Sequence, residues 1–150
     1  MRSHFPLNKV WAVAFVAIAV LITLEVLTAQ APPAPHSIWD GVYTQDQAKR
    51  GEAAYTEKCA RCHGADLHSG DAAPPLVGTE FLSNWNTKTM GDLFDRVRTT
   101  MPSDKPGSLN RQQVSDILSY ILNENKFPAG KDELGTQSET LKDIQFDAYK

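Results

Sequence analysis

Two cysteines separated by two residues, with a histidine directly after the second, constrain this chain more than any other feature. The pentapeptide Cys59-Ala60-Arg61-Cys62-His63 contains both cysteines of the 150-residue sequence. Thiols three residues apart lie on one face of a helical turn, so both can react with the same flat group. This spacing is typical of covalent attachment of a c-type haem, with Cys59 and Cys62 bound to the vinyl groups and His63 beneath the iron.

Three other uses of the motif stay open at this point. A thioredoxin-like dithiol has the same cysteine spacing, but it requires a strand-turn-helix setting, and the residues before Cys59 favour helix. A zinc site would combine both cysteines with His63 and His68, although adjacent Cys62 and His63 point in different directions and the sequence has no second cysteine pair. A structural disulfide would leave His63 without a role. The haem interpretation uses all three residues of the motif, and we favour it.

The first 31 residues have the pattern of an export signal. Arg2, His4 and Lys9 form a positive front, residues 10–24 are apolar, and residues 29–31 supply small side chains in an A-x-A arrangement. The apolar run is shorter than the roughly 20 residues that cross a bilayer. Residues 1–31 therefore predict a signal peptide or, if the run extends further, an uncleaved N-terminal anchor. Either outcome predicts a periplasmic domain, with membrane contact only if the segment stays uncleaved.

The rest of the chain divides into three predicted parts. Residues 32–43 form a proline-rich linker that cannot be helical, in which His36 and Trp39 are expected to face solvent. Residues 44–128 contain the helical patterns and the cysteine motif. Residues 129–150 form a polar tail with scattered apolar residues, and the sequence does not decide whether this tail wraps the surface, docks a partner or is loose.

Within residues 44–128 the pattern predicts three to five short helices. Thr44 and Gln47 form a capping-box pattern at the first helix, as do Thr89 with Asp92 and Asn110 with Gln113 at later ones. Gly51 lies inside the first helix, where glycine costs about 1 kcal/mol relative to alanine. We therefore expect the backbone of another helix to approach there, with Tyr120 of the last helix near Gly51 and Tyr55.

Downstream residues complete the predicted haem site. Pro74 lies in a proline-stiffened loop that could offer its backbone carbonyl to the second ring nitrogen of His63, which would fix the tautomer. Met101 precedes Pro102 in a loop, and its thioether is a soft ligand that raises the potential of a histidine-bound haem. Met90 is the competing thioether, but the first turn of a helix favours packing. Trp85 could donate its ring N–H to a haem propionate, and Arg96 or Arg98 could neutralise one.

Taken together, these residues resemble the class I cytochrome c family over residues 45–127. The order is a helix with Gly51, the cysteine motif, Pro74 with Leu76 and Gly78, Met101-Pro102, and a closing helix with Tyr120. The resemblance implies an all-α cytochrome c fold around one covalent haem c, with the terminal helices crossed. It also implies a haem bound by Cys59 and Cys62, with His63 and Met101 as axial ligands. Support of His63 by Pro74 is implied too, with Leu76 and Trp85 near the haem.

The predicted function is single-electron transfer without enzymatic activity. A weaker likeness, in residues 127–130 and 133–134, is to cytochrome domains that work beside periplasmic quinoprotein dehydrogenases. It suggests such a dehydrogenase as electron donor, with a terminal oxidase or another cytochrome as acceptor. A net charge of -3 leaves no large basic field for nucleic acid. The alternatives are a haem-bearing subunit of a dehydrogenase or respiratory complex, and a haem sensor or enzyme with an open sixth position.

Overall fold

Helices are the main regular structure in the computed structural model, which describes residues 36–68 and 73–149. The helices are α1 (Gln45–Lys58), α2 (Ala60–His63), α3 (Gly78–Trp85), α4 (Met90–Thr100), α5 (Arg111–Glu124) and α6 (Ser138–Leu141). Five of these six helices lie within residues 44–128, as predicted, and the all-α class is confirmed. The two short strands β1 (His36–Ser37) and β2 (Ile144–Gln145) pair in parallel, and a 3-10 helix, Ile38–Asp40, follows β1.

Side-chain caps begin the longer helices. Thr89 with Asp92 and Asn110 with Gln113 form the reciprocal capping boxes that the sequence predicts for α4 and α5. Thr44 caps α1 by accepting a hydrogen bond from the backbone N–H of Gln47 at 3.1 Å. The predicted reciprocal bond from the Gln47 side chain is wrong, because that side chain is buried and binds the C-terminal segment instead.

Helices α1 and α5 approach each other at Gly51, as the sequence predicts. A Cβ atom at Gly51 would overlap the backbone carbonyl of Asp116 and crowd the Cβ of Tyr120. One turn further along α1, the rings of Tyr55 and Tyr120 meet with centroids 5.4 Å apart. Glycine is therefore required at this position by backbone contact between helices, which offsets its cost in a helix.

The predicted linker is wrong for residues 36–43, which belong to the folded unit. Ile38 and Tyr43 are fully buried in the apolar core. Trp39 is half-buried rather than solvent-facing: its indole N–H donates to the carbonyl of Asp147 at 2.7 Å, and its ring meets the edge of Phe127. His36 is exposed, as expected. The neighbouring prolines predict an irregular backbone here, but burial of Ile38 and Tyr43 attaches this short segment to the core.

The C-terminal segment, residues 129–149, wraps the helices, so a separate polar tail is also wrong. Its apolar residues Leu134, Leu141 and Phe146 are buried, and Phe146 meets the edges of Phe81 and Phe127. The buried carboxamide of Gln47 accepts from the backbone N–H of Leu134 at 2.7 Å and donates to its carbonyl at 3.0 Å. The segment is therefore attached both by apolar burial and by satisfied backbone hydrogen bonds.

The predicted export segment and the proline run, residues 1–35, lie outside the described residues. Within residues 36–68 and 73–149, no helix combines the length and the apolar character that crossing a bilayer requires.

Candidate functional site

A cavity of about 570 Å³ opens beside the cysteine motif. This volume lies within the roughly 300–1,000 Å³ of typical small-molecule and cofactor sites. It is lined by these residues predicted from the sequence: Cys59, Cys62, His63, Pro74, Leu76, Trp85 and Met101. The fold thus brings residues from four separate stretches of the chain to one cavity.

The cysteine motif forms a single tight turn at the end of α1. The backbone N–H groups of Cys62 and His63 donate to the carbonyl of Cys59 at 3.1 and 3.0 Å, so α2 begins directly after Cys59. The turn is held from α1 by the Tyr55 hydroxyl, which donates to the carbonyl of Gly64 at 2.5 Å. The sequence predicts only a packing role for Tyr55.

The thiols themselves argue against the simpler uses of the motif. Cys59 and Cys62 are free, so the structure contains no disulfide between them. Burial raises the pKa of the Cys59 thiol to about 11, with a further contribution from Cys62, whereas a reactive dithiol requires a lowered thiol pKa. Among the described residues no three histidine, cysteine or acidic side chains are grouped to hold a metal ion, so a zinc site has no support.

The imidazole of His63 is held in one tautomer. Its Nδ1 lies 2.8 Å from the carbonyl oxygen of Pro74, the contact that the sequence predicts. A carbonyl can only accept, so Nδ1 carries the proton and, in the neutral ring, Nε2 keeps its lone pair. His63 is 9% exposed, and this burial protects its bond to Pro74 from water. The ring is therefore prepared to bind a metal through Nε2.

Met101 and Met90 occupy different environments. Met101 follows α4, its N–H donates to the carbonyl of Val97 at 3.0 Å, and its half-buried side chain lines the cavity. Met90 is fully buried at the start of α4 and does not line the cavity. The thioether available to the cavity is therefore that of Met101.

Further apolar side chains, which the sequence does not single out as site residues, also line the cavity. They are Phe81, Leu93, Val97, Ile117 and Ile121, from α3, α4 and α5. Ile117 and Ile121 lie on the apolar stripe of α5, but the stripe does not reveal which of its members meet other side chains and which meet a cavity. That distinction depends on how the helices pack.

Charged side chains lie at the mouth of the cavity. Lys58, Arg61, Arg96 and Asp104 contribute to its lining, whereas Arg98, the other candidate for a propionate, does not. Arg61 donates to the carboxylate of Asp104 at 2.8 Å, which joins the cysteine turn to the loop after Met101. Two thiols, an imidazole nitrogen and a thioether around an apolar cavity with a basic mouth suit a flat, apolar, iron-containing cofactor with anionic substituents.

The chain is similar to known proteins. Residues 46–121, about half of the chain, match the family model described as cytochrome C oxidase, cbb3-type, subunit III. The matched range contains the cysteine motif, Pro74 and Met101. Over 69 residues the chain is 32% identical to cytochrome c550 of Pseudomonas aeruginosa, a match that covers 46% of this chain and 43% of that protein. The chain therefore aligns with less than half of the length of this curated relative.

One solved structure is similar in outline. It is described as the sulfane dehydrogenase SoxCD from Paracoccus pantotrophus, with a TM-score of 0.46 and 21% identity. The similarity covers 79% of this chain and 66% of that one.

Proposed function

Because this chain belongs to the cytochrome c family, as its match to the cbb3-type subunit III model shows, we propose that it is a single-electron carrier. As a member of that family, it is an electron-transfer protein with covalent haem c. In this proposal Cys59 and Cys62 would hold the haem, and His63 and Met101 would bind its iron. The observation that carries the proposal is that one apolar cavity is lined by both cysteines, the tautomer-fixed imidazole and a thioether.

The side chains around the cavity have different roles in this proposal. The bound haem supplies a one-electron oxidation and reduction whose potential depends on its ligands. His63 donates from Nδ1 to Pro74, which raises the basicity of Nε2 and holds the ring in place. Met101 supplies a soft ligand from the loop after α4. Phe81, Leu93 and Val97 exclude water, and low local polarity strengthens the influence of every nearby charge on the potential.

A carrier needs no binding position for a substrate on the iron. His63 and Met101 would both be used as iron ligands in this proposal, so no ligand position would remain for a substrate, and we assign no enzymatic activity to this chain. Electrons would pass at the mouth of the cavity, near Arg61 and Asp104, during short encounters with redox proteins. Such encounters use small interfaces, below about 1,200 Å².

The proposed location is the periplasm, supported by the export pattern of residues 1–31. Covalent haem attachment in an exported protein agrees with that location. A quinoprotein dehydrogenase is the proposed electron donor, with a terminal oxidase or another cytochrome as acceptor. The support for the donor is the likeness in residues 127–130 and 133–134, and direct electron transfer between purified proteins would test it.

A second candidate is a haem-bearing subunit that serves one fixed neighbour. The description of the matched family, an oxidase subunit, favours it. The two candidates differ in purification: a carrier elutes alone at the size of one chain, whereas a subunit co-purifies with its complex from solubilised membranes. A haem sensor or enzyme differs in having an open sixth position.

One set of experiments tests ligation and attachment together. The protein is matured in an exporting bacterium, and its haem should stay with the polypeptide after acidic solvent extraction. The reduced wild type should not bind carbon monoxide at neutral pH, whereas Met101→Ala should bind it and show a lower potential. Met90→Leu is the matched control, because Met90 does not line the cavity. Extractable haem, or an unchanged spectrum in Met101→Ala, would contradict the proposal.

A further inference from the structure

We propose that Asn125, at the end of α5, is a positioning residue for His63 that acts through the loop carrying Pro74. This inference rests on the proposed function, because it concerns how the chain sets the properties of its haem ligand. Asn125 does not touch His63. Its effect reaches His63 through the backbone of the loop, residues 74–78.

The carboxamide of Asn125 binds the loop on both sides of Val77. Its Nδ2 donates to the carbonyl of Leu76 at 3.0 Å, and its Oδ1 accepts from the backbone N–H of Gly78 at 3.1 Å. The amide orientation is unambiguous, since Leu76 offers an acceptor and Gly78 a donor. The two bonds together fix the position and the direction of the loop backbone at residues 76–78.

The held segment is short and stiff. Only Pro75 separates Pro74 from Leu76, and the rings of both prolines fix their φ angles near -65°. The N–H of Leu76 also donates to the carbonyl of Leu67 at 2.8 Å, which adds a second attachment. A displacement at Leu76 therefore moves the Pro74 carbonyl that accepts from His63.

Asn125 also has an ordinary structural role at the helix end. Its Nδ2 donates to the carbonyl of Ile121, four residues earlier, at 2.9 Å. Capping of this kind needs only that one bond. The two bonds to the loop lie outside the helix, and they tie the end of α5 to the histidine support and to Gly78, the first residue of α3. The two roles can be separated by substitution.

Asn125→Ser separates them. A serine hydroxyl can still donate to the carbonyl four residues earlier in a helix, but it is too short to bind Leu76 and Gly78 together. A loosened loop weakens the His63–Pro74 hydrogen bond, lowers the basicity of the ligand and favours the reduced iron. Loss of such supporting bonds typically changes metal-site affinity or activity 10–100-fold. Since Asn125 acts one step further away, we expect about threefold to tenfold in favour of the reduced form, where tenfold is 59 mV for one electron.

The measurements are the midpoint potential and the exchange rate of the His63 ring proton, by nuclear magnetic resonance of the reduced protein. Both should rise in Asn125→Ser and Asn125→Ala. The matched control is Asn123→Ala on the same helix, because Asn123 binds Tyr43 and Gln45 and not the loop. It should lower stability and leave both readouts unchanged.

A wild-type potential and exchange rate in Asn125→Ser would overturn the inference, as would an equal shift in Asn123→Ala. If Asn125→Ala does not mature, the serine variant decides the question. Failure of the proposed function is distinguishable, since the wild-type protein would then lack covalent haem or methionine ligation.

Discussion

Two regions of this molecule are completed in different ways. In the first region, which we call the closed face, α1 and α5 touch at Gly51, and the terminal segments, residues 36–43 and 129–149, contribute buried aromatic rings to the core. On the cavity face, lined by residues 59–63, 74–76 and 101–104, apolar side chains such as Trp85 and Val97 are only half-buried. The comparison indicates that the chain completes one region by itself and leaves the other for its cofactor.

The largest expected loss of stability follows removal of the cofactor from the cavity face. The apolar side chains that line the cavity would be exposed to water without the cofactor, and the total stability of a domain is only roughly 5–15 kcal/mol. We expect the double variant Cys59→Ala, Cys62→Ala to lose most of its stability, about 5 kcal/mol or more, in urea unfolding followed by circular dichroism. A variant as stable as the matured wild type would contradict the comparison.

On the closed face, Phe146→Ala should cost about 3–5 kcal/mol. The Phe146 side chain is fully buried and packs edge-on against two other rings. Tyr149→Ala is the matched control in the same segment, because Tyr149 is 55% exposed. It should change the free energy of unfolding by about 0.5 kcal/mol or less. Equal losses in the two variants would mean that the C-terminal segment is not part of the core.

Gly51→Ala tests the helix contact itself. The added methyl group must displace backbone of α5, and we expect a loss of about 2–3 kcal/mol. At Gly135 an added Cβ meets only ordinary contacts, 3.7 Å from Thr140 and 3.9 Å from Leu141. Gly135→Ala should therefore be close to neutral. Urea midpoints of both variants, measured with haem attached, give the comparison.

The smallest expected loss of stability comes from removing the cap of α4, the helix that precedes Met101. The backbone and side-chain hydrogen bonds from Thr89 lower the pKa of Asp92. The stability from this lowered pKa is present above the unfolded value near 3.9 and disappears as pH falls through the folded value. Thr89→Ala should cost about 1 kcal/mol at pH 7 and less in acid.

The control for this pH dependence is Asn110→Ala at the start of α5. Its capping box uses Gln113, which does not titrate, so a similar loss of about 1 kcal/mol should persist at low pH. Thermal unfolding of both variants between pH 7 and pH 3 makes the measurement. Parallel pH profiles would show that the Asp92 carboxylate contributes nothing to the cap.

Local chemistry made much of the fold predictable. Capping residues at Thr44, Thr89 and Asn110 mark the beginnings of three helices, because side-chain oxygens satisfy the first free N–H groups. Gly51 indicated a close helix contact, since no other role offsets the cost of glycine inside a helix. These signals lie within a few residues of the structure that they predict.

The site was predicted where a residue has distinctive chemistry. The cysteine motif and the methionine before a proline are rare enough to stand out, and Pro74 follows from the need of His63 for an acceptor. The role of Asn125 was not predicted, and Trp39, which is half-buried, was wrongly expected to face solvent. Their roles depend on contacts with residues 49 and 108 positions away along the chain, which local patterns do not contain.

By itself, the sequence determined the cofactor chemistry and the helical class, because thiol spacing, caps and apolar periodicity act over one or two turns of chain. Only the tertiary structure decided where the folded unit ends and which apolar residues meet the cavity. It also decided that the end of α5 holds the loop beside His63. Those outcomes depend on the packing of distant segments, whose free energy is shared among many weak contacts and is not written in any one stretch.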